Sequence, residues 1–304
     1  MRKLALTLVF LGFGCAAAAL ALKAFAPGEK GEVALSAGET VELDGAMLLL
    51  DSFAVPKYPS GKPRQFESDV HVIDPSSRDA VHAVISVNHP LIWNGWWIYQ
   101  TSYDSVSEQY TQLTAFRDPW LPLATVGGAL LLLGALLLAF GRAPEPASVD
   151  ISRWGRMVRC LFAVMVIAAP LAIVARAVFR AEPIPALQSP LLAPHVAAYV
   201  ASYLIVIFSA FGVGRRFLPL GYFLMTLGLV LGAVWGKLCW TDFWQYDPKE
   251  MWSLATWLCY TAYFLFLKRP RSELVLRVLT AVMVLFTATG VNLMRCFAGL
   301  HSYR

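Results

Sequence analysis

The chain has 304 residues, of which 58% are hydrophobic and only 15% are charged, and its mean hydropathy is +0.57. This composition lies outside the range of soluble globular domains and predicts a polytopic membrane protein. The net charge of +5 comes largely from short loops beside apolar runs, so it reflects membrane topology and argues against nucleic-acid binding. The five cysteines include no Cys-x-x-Cys pair, which argues against a redox-active dithiol.

Apolar runs of about 20 residues recur along the chain, and a run of that length can cross a bilayer as a helix. We predict seven transmembrane spans, near residues 4–26, 120–140, 157–178, 196–213, 218–235, 251–267 and 273–292. If all seven cross, the basic residues of the short loops fall on one side, which is therefore cytoplasmic. These residues are Arg2, Lys3, Arg142, Arg153, Arg156, Arg215, Arg216, Lys268, Arg269 and Arg271.

The predicted fold class is an all-α polytopic membrane protein with a small β-rich exported domain between its first two spans. Residues 1–26 are interpreted as a membrane anchor because of their length. Their basic start and alanine-rich end also fit a cleaved signal peptide, and in both cases the residues that follow are exported. Residues 120–156 are assigned to a transmembrane helix and a cytoplasmic linker, and residues 157–304 to a helical domain.

The exported part, residues 27–119, is called the β segment below. Apolar side chains alternate from Ala80 to Asn88, and Asn94-Gly95 separates two apolar stretches, which is typical of a tight hairpin. The sequence therefore predicts a small β-sheet domain. Its three histidines are expected to be ordinary surface residues, exposed or satisfied by neighbours. They are His71, His82 and His89.

Residues 235–252, called the aromatic segment below, carry four tryptophans, a tyrosine and a phenylalanine among two aspartates, a glutamate and two lysines. The segment lies between two apolar runs, on the side predicted to be outside. Tryptophan and tyrosine at a membrane interface often form only an anchoring belt. The density of rings beside acidic groups exceeds what a belt needs, and it indicates a platform for a flat amphipathic ligand.

Two further histidines are predicted on the same face, at the ends of different helices. His195 opens the fourth span, and His301 lies nine residues beyond the last span. Two imidazoles beside stacked rings could serve as axial ligands of haem iron. A lone interfacial histidine is more often a polar cap, so the residues by themselves leave both readings open.

Residues 183–304 resemble a known family at three points in the same order. Trp-Thr-Asp-Phe-Trp-Gln-Tyr-Asp-Pro-Lys-Glu-Met-Trp at 240–252 is similar to the tryptophan-rich WWD signature of cytochrome c assembly proteins, the CcsA/ResC type of system II cytochrome c biogenesis. Pro-Ala-Leu-Gln-Ser-Pro at 185–190 with His195, and Gly-Val-Asn at 290–292 followed by Gly-Leu-His-Ser-Tyr at 299–303, resemble its flanking motifs. A weaker likeness joins residues 87–103 to the exported domain of ResB/CcsB, the partner of CcsA.

The resemblance implies that haem b is held on the outer face between axial ligands His195 and His301. It also implies that apocytochrome c presents a Cys-x-x-Cys-His motif, whose thiols add across the haem vinyl groups to give thioethers. The chain would then be a component of a holocytochrome c synthase, or haem lyase. The implied haem-binding positions of the aromatic segment are Trp235, Trp240, Trp244, Tyr246, Asp247, Pro248, Glu250 and Trp252.

The same resemblance implies the location and the partners. The chain would lie in the cytoplasmic (inner) membrane as a multi-pass protein, with the haem site and the β segment on the periplasmic side. Expected partners are apocytochrome c, a ResB/CcsB-type subunit and a thioredoxin-like thiol reductant, with no nucleic acid.

This sequence departs from the family pattern in three respects. The helix after the aromatic segment lacks the histidine that many members carry, which puts a transmembrane haem relay in doubt. Thr241 stands where glycine is usual, and Tyr246 stands where tryptophan is usual. Three alternatives remain open: a b-type haem electron-transfer subunit, which usually needs histidines inside the bundle, a solute transporter, and haem delivery without ligation.

Overall fold

The computed structural model describes residues 1–75, 80–141, 155–178 and 181–290. Its described part contains seven α-helices, and a helix occurs at each of the seven predicted spans. The helices are α1 Arg2–Phe25, α2 Leu121–Ala139, α3 Gly155–Val178, α4 Leu192–Ala210, α5 Leu218–Trp240, α6 Pro248–Leu265 and α7 Pro270–Leu285. A π-helical turn, Phe286–Gly290, continues α7.

Five of the helical stretches are long and apolar enough to cross a membrane. They are Arg2–Phe25, Leu121–Ala139, Leu192–Ala210, Arg215–Trp240 and Arg271–Thr289. The apolar part of α3 is shorter, Cys160–Arg176, and α6 is not among the five. The prediction of a polytopic membrane protein with a β-rich N-terminal region is confirmed, whereas the number of seven spans stays a prediction.

The β segment folds as two four-stranded antiparallel sheets. The first sheet has the order β1 Glu29–Ser36, β8 Tyr110–Arg117, β7 Trp96–Tyr103, β6 Leu91–Trp93. The second has the order β2 Thr40–Leu43, β3 Ala46–Ala54, β4 Glu67–Ile73, β5 Ala80–Ser86. Alternate side chains of both sheets share one apolar core, as expected when each strand turns one face inward. Its most buried members include Leu50, Val70, Ile85, Ile98 and Leu113.

The predicted hairpin at Asn94-Gly95 is confirmed. Trp93 pairs with Trp96 across the turn, and both turn residues have positive φ, 45° for Asn94 and 80° for Gly95. Asparagine and glycine tolerate this left-handed backbone, and the twist of such a turn matches that of the strands. The predicted strand at 80–88 is present as β5, with Ile85 buried.

The described loops between helices lie at two opposite ends of the bundle. At one end the β segment joins α1 to α2, and the Trp120 indole donates a hydrogen bond to the Ala26 carbonyl at 2.9 Å. At the other end the Arg2 guanidinium donates to the Phe264 carbonyl, and Arg215 pairs with Glu273 at 2.9 Å. The 24 residues of α1 separate the two ends by about 36 Å.

Candidate functional site

A cavity of about 520 Å³ lies where α4, α5 and the start of α6 meet, and a volume of this size is typical of a small-molecule site. Helix α3 and the π-helical turn after α7 complete its wall. Among the residues predicted from the sequence, five line the cavity. They are His195, Trp235, Trp240, Trp244 and Glu250.

His195 lies in the first turn of α4, just after a short 3-10 turn at Pro185–Gln188. Its Nδ1 lies 2.7 Å from the carbonyl oxygen of Gly228 on α5. Since a carbonyl oxygen can only accept, Nδ1 carries the proton, and Nε2 carries the lone pair in the neutral ring. The same arrangement orients metal-binding histidines in other proteins, because the backbone acceptor fixes both the tautomer and the ring.

Two glycines of α5 make room for the rings of α4. A Cβ at Gly232 would lie 2.5 Å from Cε1 of His195, and a Cβ at Gly228 would lie 2.7 Å from the ring of Tyr199. The two glycines are four residues apart, so they lie on one face of the helix. Small residues at this spacing let membrane helices approach closely, and here the space is filled by an imidazole and a phenol.

Tyrosines of α4 line the cavity below His195. Tyr199 and Tyr203 follow His195 at steps of four residues, so the three side chains form one stripe along the helix. The ring of Tyr199 contacts the imidazole edge to face, at 5.1 Å between centroids. Sequence reasoning missed both tyrosines, although their spacing from His195 is a signal that could have found them.

The aromatic segment supplies the wall beside His195. The Trp235 ring is 2% exposed, lies 6.1 Å from the imidazole centroid and packs on Trp240 at 4.9 Å. Phe243 and Trp244 extend this wall along the loop that follows α5. Aromatic rings of the segment therefore line the cavity, where a flat ligand could stack against them.

The sequence Asp-Pro-Lys-Glu within the aromatic segment begins α6. Asp247 is the N-cap, and its Oδ1 accepts the Lys249 N–H at 2.9 Å. The Glu250 carboxylate in turn accepts the backbone N–H groups of Gln245 at 2.8 Å and Asp247 at 3.3 Å. Together with Pro248 at the first helical position, this reciprocal pattern is a capping box. The acidic residues of the segment thus fix where the helix starts.

Four of the predicted site residues are not part of the cavity wall. Asp247 and Pro248 form the helix start just described, while Tyr246 is 64% exposed and has φ +55°. Trp252 packs on Phe286 of the π-helical turn, at 4.4 Å between centroids. Thr241, where the family resemblance expects glycine, ends α5 with φ +78°, a left-handed conformation that glycine adopts more readily.

Charged side chains also reach the cavity. Arg176 of α3 and Lys249 of α6 line it together with Glu250. Burial raises the pKa of Glu250, and the backbone N–H groups that donate to its carboxylate oppose that rise. Burial lowers the pKa of Lys249, and the neighbouring Asp247 carboxylate opposes that fall. Two cations and an aromatic wall suit a flat ligand that carries carboxylates.

Asn88 connects the β segment to the cavity wall. It has φ +71° in the turn after β5, is 5% exposed, and accepts the Trp235 indole N–H at 3.2 Å. Its own amide donates to the Pro185 carbonyl at 2.9 Å. One side chain therefore links the exported sheets, the turn before His195 and the first tryptophan of the aromatic segment.

A second contact holds the end of α5 against the β segment. Lys237 is 2% exposed, donates to the Thr241 carbonyl at 2.8 Å and lies 5.2 Å from the Trp97 ring centroid, within the range of a cation–π contact. Lys23 of α1 pairs with Asp242 and, at 3.1 Å, with Asp118. These contacts hold the aromatic segment against α1 and the first exported sheet.

The second predicted axial ligand, His301, lies outside the described residues, as do Asn292, Gly299 and Tyr303 of the third motif. The last described part of the chain before them is the π-helical turn. Thr287 and Ala288 of that turn line the cavity. π-Helical turns occur often at functional sites.

Comparison with known proteins agrees with the resemblance read from the sequence. Residues 212–299 match the family model described as "Cytochrome C assembly protein", and residues 17–108 match the ResB-like family. The chain is 39% identical over 95 residues to the cytochrome c biogenesis protein CcsA of Gloeothece citriformis, a match that covers 30% of this chain and 28% of the relative. With the protein of the same name from Prochlorococcus marinus strain MIT 9303 it shares 39% identity over 92 residues, covering 29% of this chain and 28% of the relative.

These matches confirm the predicted likeness to both families. The aromatic segment lies inside the first matched range, and Asn88 lies inside the second. Segments like CcsA and ResB are thus combined in one membrane chain. The chain spans little more than a quarter of the length of the curated relatives it matches.

Proposed function

We propose that this protein acts in cytochrome c maturation, by holding haem in the cavity and presenting it to apocytochrome c. One observation carries the proposal. The His195 imidazole is fixed by the Gly228 carbonyl and faces a cavity walled by tryptophans, within a chain that matches the cytochrome c assembly family. His195 and His301 would be the axial ligands.

The residues around the cavity fit haem b. A neutral imidazole with its lone pair on Nε2 binds haem iron in either oxidation state. The aromatic wall can contact the flat macrocycle, and Arg176 and Lys249 can pair with its two propionates. The capping residues Asp247 and Glu250 hold that wall in place.

The covalent step requires no net oxidation. When bound, haem supplies two vinyl groups, and each apocytochrome thiol adds across one of them: sulfur bonds to one vinyl carbon and the thiol hydrogen goes to the other. The protein's own residues bind, orient and shield the reactants, which raises the effective concentration of thiol at vinyl. The thiols must arrive reduced, so a thioredoxin-like reductant is a proposed partner, together with a ResB/CcsB-type subunit.

We place the cavity on the periplasmic face of the inner membrane. In support, the described basic residues Arg2 and Arg215 lie at the bundle end far from the β segment, as the positive-inside rule requires of a cytoplasmic face. The proposed domains are an anchor at 1–26, the exported β segment at 27–119, a helix and linker at 120–156, and the assembly domain at 157–304.

Spectroscopy of the purified protein tests haem ligation. The wild type should show a low-spin, six-coordinate haem spectrum. His195→Ala and His301→Ala should each degrade that spectrum, and added imidazole should partly restore it. His89→Ala is the matched control, since His89 is exposed and is not among the residues that line the cavity. Unchanged spectra in both cavity variants would overturn the assignment of the axial ligands.

Activity is tested separately in a bacterial strain that lacks its own maturation system. The full chain and the candidate ResB/CcsB-type subunit are expressed with an apocytochrome that carries Cys-x-x-Cys-His. Covalent haem on the product supports ligation. Haem bound by the chain without covalent product, even with the subunit supplied, would instead favour delivery or electron transfer.

A further inference from the structure

A cluster of two histidines and two aspartates lies on the solvent face of the second sheet, far along the chain from the cavity residues. His71 of β4 and His82 of β5 are directly opposite each other in the antiparallel register, with ring centroids 4.7 Å apart. Val70 and Val72, on either side of His71, point into the core, so His71 and its cross-strand partner His82 point outward. Cross-strand pairs of this kind bring side chains close together.

A β-bulge places a third residue, Asp51, beside the two histidines. The register of β3 against β4 shifts between Leu50 and Ser52, so Asp51 is the extra residue of the bulge. Bulges re-aim a side chain out of the regular alternation. The Asp51 carboxylate here contacts Nδ1 of His71, and the Asp69 carboxylate lies 2.5 Å from Nε2 of His82.

The donor atoms of the cluster are close enough to share one metal ion. One ligand atom each from Asp51, His71 and His82 lies within 4.8 Å of the other two, so a point between them is at most about 2.8 Å from each. Zinc binds imidazole nitrogen and carboxylate oxygen at about 2.0–2.2 Å, and rotations of exposed side chains can close the difference. The sequence by itself favoured ordinary surface histidines. The register and the bulge place them together.

We propose that Asp51, His71 and His82 bind one divalent metal ion of the zinc type. Imidazole and carboxylate ligands suit zinc and other borderline ions, and three protein ligands leave a position for water or an exogenous ligand. Asp69 adds a carboxylate beside His82, and the acidic pair offsets the charge of the cation. The ion would tie β3, β4 and β5 together. This site is separate from the haem cavity and does not depend on haem binding.

The test uses the full chain, purified in detergent and freed of metal by a chelator, and titrated with zinc in competition with a chromophoric zinc indicator. We expect the wild type to bind zinc, and we expect the zinc affinity to be at least about tenfold lower in His71→Ala and in His82→Ala. His89→Ala removes a histidine of the same segment outside the cluster, so this variant should bind zinc with the affinity of the wild type. His195→Ala should keep that affinity as well.

A variant that merely unfolds the sheet is recognised by a second set of measurements. Asp51→Asn keeps the size of the side chain and removes its charge, and it should weaken zinc binding without lowering the unfolding temperature of the metal-free protein. Zinc should raise the unfolding temperature of the wild type but not of the His71→Ala, His82→Ala double variant. Equal zinc affinity and stoichiometry in the wild type and the double variant would overturn the proposal.

Discussion

At the scale of single residues, the cavity depends on glycines, which leave space for neighbouring rings, as much as on the side chains that line it. Gly232 is helical and needs no unusual backbone angles. Its role is space, because the imidazole of His195 occupies the volume that a methyl group would fill. The hydrogen bond to the Gly228 carbonyl then fixes how the ring is turned. The orientation of His195 is therefore a property of α5 as well as of α4.

Replacing Gly232 with alanine should displace His195. The new Cβ would lie 2.5 Å from Cε1 and 2.8 Å from Nδ1, so the ring must move and the bond to Gly228 must lengthen. Overpacking of this kind costs about 1–3 kcal/mol, which corresponds to a haem affinity about 5- to 150-fold lower. Titration of the purified variant and the wild type with haem measures this change in affinity.

Gly128→Ala is the matched control for that experiment. It also adds one methyl group to a membrane helix, but its nearest neighbour, Cγ1 of Val230, would lie at an ordinary 3.8 Å. It should leave haem affinity unchanged. If both variants bind haem as tightly as the wild type, the proposed dependence of His195 on Gly232 is wrong.

At the scale of elements, the aromatic segment has two roles: some of its residues line the cavity, and others begin α6. The two sets of residues lie close together along the sequence. Trp235, Trp240 and Trp244 line the cavity, whereas Asp247 and Pro248 begin α6. The D-P-K-E pattern is a readable capping signal. The family resemblance instead implied that these residues bind haem.

Asp247 variants separate capping from ligand binding. Asp247→Ala removes the acceptor of the Lys249 N–H and should destabilise the start of α6 by about 1 kcal/mol. Asp247→Ser keeps a capping oxygen, so its unfolding temperature and its retention of haem should stay close to those of the wild type. A serine variant that loses haem as fully as the alanine variant would show that the carboxylate itself is needed for the ligand.

At the scale of the whole molecule, the sequence predicted most elements and few of the contacts between them. Runs of apolar residues located the seven α-helices of the described residues, and Asn94-Gly95 located the hairpin, because these signals are local. The stripe of Tyr199 and Tyr203 was readable in principle from its period. The neighbours of Gly232 and the bulge at Asp51 were not readable, since both depend on how separate elements pack.

The link between the β segment and the helices is likewise a tertiary feature, and Asn88 is one of its buried members. Its side chain joins Trp235 to the turn before His195, so the exported sheets help to position the cavity wall. Asn88→Gly removes these bonds while keeping a residue that tolerates φ +71°. The lost bonds are buried, so the link should weaken by about 1 kcal/mol or more.

We therefore expect Asn88→Gly to expose the β segment to faster limited proteolysis and to broaden the haem spectrum, since Trp235 then loses the acceptor that Asn88 provides for its indole N–H. Asn94→Gly is the matched control: this asparagine also has positive φ, but its amide donates to exposed Asp44 at the hairpin and not to a helix or to the cavity wall among the described residues. It should alter neither measurement. Equal proteolysis rates and equal spectra in both variants would mean that the β segment is held by other contacts, with the Lys23 pairs to Asp118 and Asp242 as the next to be tested.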